Sequence, residues 1–282
     1  MKRWMAIFTA LGLILAMGAS FKPIFLPGVY DLKPEGTWDL VSFPKDVYHY
    51  DKFSTYSTSK PANLKLDFPT DRFAGFQYSR FTLGNAGNVF NFVIANQRNY
   101  FYDALYIDLD HNGVITAKEE VKIEEKQNVA LGYVFQSFEA DPKIIVDYRI
   151  SGGKVIARPL DIKLTFVYQK NSQRAEAFYI LKNNTLMTGT TLSEKDPLYF
   201  AIADGDNNGC YNDFGNDLVF FDRNGDRKFD YVKESQPLAE LQDIKVNRKT
   251  NIYRLVLSPW PVKLGIISIN QTYKLTDFEP KP

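Results

Sequence analysis

From Leu160 to Tyr168 every second residue is apolar: Leu160, Ile162, Leu164, Phe166 and Tyr168 line one side, with Asp161, Lys163 and Thr165 opposite. A period of two sends these sets to opposite faces of an extended chain, so the stretch reads as a half-buried strand. Leu64, Leu66 and Phe68 alternate in the same way. No window carries a sustained apolar stripe at helical period. The best helical candidates are single turns, Thr116 to Glu120 and Asp230 to Ser235. The chain holds 17 Tyr and 22 Phe, residues that favour strands where packing decides. The expected class is therefore mainly β, with few short helical turns.

Turn residues punctuate these strands. Ser151-Gly152-Gly153-Lys154 separates Ile144 to Ile150 from Val155 to Arg158, and Asn183-Asn184 follows Phe178 to Leu181; hairpins are expected at both places. Pro23, Pro27, Pro34 and Pro44 interrupt any long element in residues 21–60, which read as a lead-in with one edge strand near Thr37 to Ser42. An internal repeat organises the rest. Phe92 to Asn96 matches Phe200 to Asp204, Leu105 to Asp108 matches Val219 to Asp222, Thr82-Leu83 pairs with Thr191-Leu192, and Glu120 pairs with Glu234. The second copy carries one insertion, Gly205 to Gly209, and it is acidic. These features predict two similar sandwich-like β domains, 61–168 and 169–282, after a leader at 1–20 and the lead-in; one elongated sandwich is the alternative.

Each copy places Asp-rich loops after its apolar strands. In the first, Asp108-Leu109-Asp110-His111-Asn112-Gly113-Val114-Ile115-Thr116-Ala117-Lys118-Glu119 puts oxygen donors at positions 1, 3, 5, 7, 9 and 12 and Gly at 6. That is the arrangement a hard cation with six to eight oxygen ligands requires. Asp108, Asp110 and Asn112 offer side-chain oxygens, Val114 its carbonyl, Thr116 a hydroxyl directly or through water, and Glu119 a bidentate carboxylate. Ile115 points into the core. His111 takes an outward position with no role. The same residues also make good turn chemistry without a metal, but three carboxylates in one loop repel unless a cation or solvent screens them, and a plain turn has no use for Glu119.

Two further loops belong to the second copy. Asp204, Asp206, Asn208, Gly209 and the carbonyl of Cys210 hold positions 1, 3, 5, 6 and 7, but position 12 is Gly215, so Asp213 or Asp217 must supply the closing carboxylate. The Cys210 thiol is expected to be packed or exposed rather than catalytic. The third loop keeps donors at Asp222, Asn224, Asp226 and Asp230, with Arg227 where Gly is wanted and Lys233 at position 12, leaving Glu234 one step out of register. A non-Gly residue at positive φ costs on the order of 1 kcal/mol. Two readings of this loop stand: a weak calcium site, or a metal-free loop braced by Asp-to-Arg pairs. Asn96 to Tyr102, the first copy's counterpart of the second loop, has no acid and should bind nothing.

The loop from Asp108 to Glu119 resembles an EF-hand calcium loop, although a strand, Ala104 to Ile107, precedes it where an EF-hand has a helix. Strand-flanked loops with this spacing occur in extracellular proteins. Leu105 to Thr116, together with the loops from Asp204 to Asp230, is similar to a repeat of uncharacterised bacterial secreted proteins. The resemblance implies export and metal binding, with Ca2+ as the ion, and no particular activity.

Lys2 and Arg3, the apolar run Trp4 to Met17 and the small residues Gly18 to Ser20 read as a secretion signal, with an uncleaved anchor as the competing reading. No second run reaches membrane-spanning length. A net charge of +1 provides no field for nucleic acid. Cys210 is the only cysteine, so no intrachain disulfide forms, and His49 and His111 make no zinc pattern. No nucleophile elbow, phosphate loop or dinucleotide fingerprint is present. Tyr48, Tyr50, Phe53 and Tyr56 fit a glycan- or peptide-binding face, or more simply a core strand and its neighbours. The expectation is an exported calcium-binding module that binds or braces a protein or glycan of the cell envelope. The alternative is a glycan-active extracytoplasmic hydrolase with structural calcium.

Overall fold

A computed structural model describes residues 28–43, 52–96, 103–130, 133–170, 175–191, 199–246 and 249–281. The expected leader, Tyr48, Tyr50 and residues 97–102 lie outside them. The described chain is mainly β, arranged in several sheets, and its helical content is single 3-10 turns such as Ala117–Glu119. None of its helices is long and apolar enough to cross a membrane.

The alternating stretch around Leu160 extends into a 16-residue strand, Val155–Lys170. Its first half pairs with Lys143–Arg149 across the turn Ser151–Gly153, the expected hairpin. Its second half pairs with Tyr133–Ala140 on one side and Ala175–Asn183 on the other. Residue 168, where a domain boundary was expected, falls inside this strand. The Asn183-Asn184 hairpin does not form. Ala175–Asn183 also pairs with Lys52–Thr55, whereas Thr185–Thr190 joins a different sheet, beside Tyr199–Ala203 and Lys33–Thr37. The Asn pair is thus a corner between sheets. Buried Asn183 uses its side-chain oxygen to accept the Thr185 N–H at 3.1 Å.

Two sheets share one strand order. In the first, Gly75–Leu83, Asn88–Asn96, Ala104–Ile107 and Glu120–Val121 are neighbours in that sequence; in the second, Thr185–Thr190, Tyr199–Ala203, Leu218–Phe221 and Ser235–Pro237 are. Each is accompanied by a short parallel pair, Lys65–Asp67 with Val114–Thr116 and Val41–Ser42 with Phe229–Asp230. The lead-in therefore completes the second arrangement. Its expected edge strand is split by a 3-10 turn, Trp38–Leu40, that buries Trp38.

The central strands bury both faces. Phe90, Phe92 and Ile94 enter the large core, while Val93 and Ala95 on the opposite face enter a smaller cluster with Tyr106 and Ile115. Phe200 and Ile202 join the same large core, and Ala201 and Ala203 a second small cluster with Trp38 and Phe229. Tyr56, half-buried, packs its ring onto the core against Phe92, Phe166 and Tyr179.

Candidate metal centre

Each acidic loop leaves the end of a buried strand and is pinned by a large apolar residue at its eighth position: Ile115, Tyr211 and Phe229 are all fully buried. At the sixth position the backbone must take positive φ to reverse direction, and it does so at Gly113 (φ 77), Gly209 (φ 84) and Arg227 (φ 60). Gly209 is required for a second reason, since a Cβ there would stand 2.8 Å from the Gly84 amide nitrogen.

In the first loop, buried Asp108 accepts on Oδ2 from the Gly113 N–H at 3.1 Å and from Asn91 Nδ2 at 3.2 Å. Its Oδ1 is buried with no hydrogen-bond partner. Glu119 closes the loop: Oε1 accepts the Leu109 N–H at 2.8 Å, and Oε2 accepts the Thr116 N–H at 2.8 Å and the Thr116 hydroxyl at 3.0 Å. Asp110 accepts from Asn112 Nδ2 at 2.8 Å, and Asn112 Oδ1 accepts the Val114 N–H at 2.6 Å. Asp108, Asp110 and Glu119 each bring a carboxylate oxygen within 4.8 Å of the others. Oxygens around one calcium-sized ion lie at most roughly 5 Å apart, so this triad can hold a metal ion. His111 is not idle. Its Nε2–H donates to the Ile145 carbonyl at 3.1 Å and its ring meets Phe90 edge-on at 4.4 Å, which fastens the loop to a neighbouring strand.

The second loop repeats the geometry with a different closing residue. Asp204 accepts the Gly209 N–H on Oδ2 at 2.6 Å and Asn183 Nδ2 on the same oxygen at 2.8 Å. Of the two closing candidates, Asp217 takes the part of Glu119, accepting the Gly205 N–H at 3.0 Å and the Asp213 N–H at 2.7 Å. Asp204, Asp206 and Asp217 form the second triad within 4.8 Å. Asp213 bonds instead to the Asn208 amide. Burial pushes the Asp204 carboxyl up to about 7 and the Asp217 carboxyl up to about 8. Burial, then Asp213 and the other loop acids, pushes the Cys210 thiol up to about 12, so it is packed and not a nucleophile. The loop is bolted to the fold by Tyr148, whose hydroxyl donates to the Gly209 carbonyl at 2.7 Å, and by the Gly84 N–H, which donates to the Asn208 carbonyl at 2.8 Å.

The third loop corrects the register read from sequence. Glu234, not the residue at position 12, closes it: Oε1 accepts the Arg223 N–H at 2.8 Å and Oε2 the Asp230 N–H at 2.9 Å. Asp222 is satisfied on both oxygens by the N–H groups of Gly225, Asp226 and Arg227. Asn224 and Asp226 bond to each other at 3.1 Å. Asp230 is held below the usual carboxylate range, chiefly by the Lys233 N–H. Among the described residues, the carboxylates of this loop do not converge as the two triads do. Main-chain donors brace it.

Comparison with family models, with curated proteins and with solved structures gave no significant match. The geometry of the loops therefore carries the functional argument alone. Spacing did not reveal Asn91, Asn183 or the part played by Glu234. Only the last left a trace, as an acid one residue past the closing position.

Proposed function

We propose that this chain is an exported calcium-binding β protein that serves the cell envelope as a binding or structural module, with calcium held by the loops at Asp108 and Asp204. The observation that carries this reading is Asp108 Oδ1. A carboxylate oxygen buried without a partner forfeits its hydration for nothing in return, at a cost of about 1–3 kcal/mol or more. A cation shared with Asp110 and Glu119 removes that cost. The donors are all oxygens, which favours a hard ion over zinc or copper. They sit on a loop able to supply six or more ligands, which favours calcium over the strictly octahedral magnesium. Export is supported by the charged and apolar start of the sequence.

Calorimetric titration of calcium into the chain, beside an Asp108→Ala, Glu119→Ala double variant, tests the proposal. The unsubstituted chain is expected to bind saturably and to gain about 2.7 kcal/mol of stability at calcium a hundredfold above Kd. The variant is expected to lose one binding step. Equal uptake by the two proteins removes the first loop from the account.

A further inference from the structure

We infer that Asn91 is a positioning residue that sets the affinity of the first loop for its divalent cation; the inference rests on the reading of that loop as a calcium site. Asn91 lies on the central strand Asn88–Asn96 and is 8% exposed. Its carbonyl accepts the Asp108 N–H at 2.8 Å while its Nδ2 donates to Asp108 Oδ2 at 3.2 Å, so one residue grips both the backbone and the carboxylate of the first ligand. With the Gly113 N–H on the same oxygen, the carboxylate cannot rotate freely. Oδ1 is left over, buried and without a partner, as the oxygen available to an ion.

Asn183 makes a similar amide contact from a different sheet, although Asp204 Oδ1, unlike Asp108 Oδ1, accepts the Asn208 N–H at 3.1 Å. Asn183 is 1% exposed, its Nδ2 donates to Asp204 Oδ2 at 2.8 Å, and its N–H donates to Asn207 Oδ1 at 2.8 Å, so it too holds a first ligand and the loop behind it. The third loop supplies the contrast. No side-chain amide reaches Asp222 among the described residues, and the carboxylates of its loop do not converge as in the two triads. The two loops with an amide on the first aspartate are the two with a triad. A ligand held in its binding orientation before the ion arrives loses less freedom on binding. Outer partners that orient a ligand in this way are typically worth 10- to 100-fold in metal affinity.

The test compares Asn91→Leu with Asn88→Leu. Asn88 is on the same strand and is also buried, but its amide holds the Leu83 and Asp147 carbonyls and the Asp147 N–H rather than a loop carboxylate. Both variants lose a buried amide, and both are expected to melt at lower temperature in chelator. Only Asn91→Leu is expected to weaken calcium binding, by about 10- to 100-fold, at the step that the Asp108→Ala, Glu119→Ala protein lacks. Asn91→Ser, whose hydroxyl is too short to replace the amide, is expected to show the same loss and decides the matter if the leucine variant does not fold. Unchanged affinity in the folded Asn91 variant, or equal weakening in Asn88→Leu, overturns the inference. No calcium uptake by the unsubstituted chain overturns the calcium reading beneath it.

Discussion

Glu119, Asp217 and Glu234 close three loops of different length with the same pair of hydrogen bonds, one oxygen on the N–H of the second loop residue and the other on an N–H near the return strand. Chemistry at this scale makes stability depend on pH. The Asp204 and Asp217 carboxyls titrate near 4 in an unfolded chain, and burial raises them to about 7 and about 8 in the folded one. The folded state therefore holds extra protons. What they contribute to stability is fully present below about pH 4 and is lost as pH rises through their folded values. In chelator, the melting temperature is expected to fall between pH 5 and pH 9, and Asp217→Asn, neutral throughout, should flatten that fall. An equally steep fall in the variant would show that Asp217 is not its source. The first acid of every loop was legible in the sequence, because Asp108, Asp204 and Asp222 each follow an apolar strand. The closing acid was legible outright for Glu119 and as one of two candidates for Asp217, since counting to a fixed twelfth position fails where the returning turn adds residues.

Strands and turns were read best where a single period governed them. Lys143–Arg149 and Val155–Lys170 form the expected hairpin, and Ala104–Ile107 the expected strand before the first loop. Asn183-Asn184 misled because a polar pair ending a strand serves a corner between sheets as well as a hairpin, and only the partners of Thr185–Thr190 distinguish the two. Turn geometry also yields a stability prediction. Arg227 holds φ 60, where Gly113 and Gly209 stand in the other two loops. Arg227→Gly is expected to stabilise the protein by about 0.5–1 kcal/mol in chemical denaturation, the relief of the left-handed backbone less the entropy glycine adds to the unfolded chain. Gly209→Ala is expected to destabilise it by more than the roughly 1–2 kcal/mol of a strained φ, because its Cβ would also collide with the backbone at Gly84. A stabilised Gly209→Ala protein would contradict this packing.

Over the whole molecule one large core gathers Tyr30 and Leu32 from the lead-in, Phe92 and Phe166 from the first half and Phe200, Tyr211 and Ile266 from the second. Phe92→Ala empties a site ringed by Tyr56, Phe81, Phe166 and Tyr179. It is expected to cost roughly 3–5 kcal/mol. Because the core is shared, that loss should shift a single transition seen alike by circular dichroism and tryptophan fluorescence; two separate transitions, one of them unmoved, would show that the halves melt independently. The sequence by itself determined the class of fold and the places of the acidic loops, since periodicity, turn residues and ligand spacing are local and a one-dimensional pattern records them. The tertiary structure decided which strands share a sheet, which acid closes the second and third loops, and which amides stand behind Asp108 and Asp204. Those choices join residues as far apart as Val41 and Phe229, and no local pattern encodes a contact between residues that only the folded core brings together.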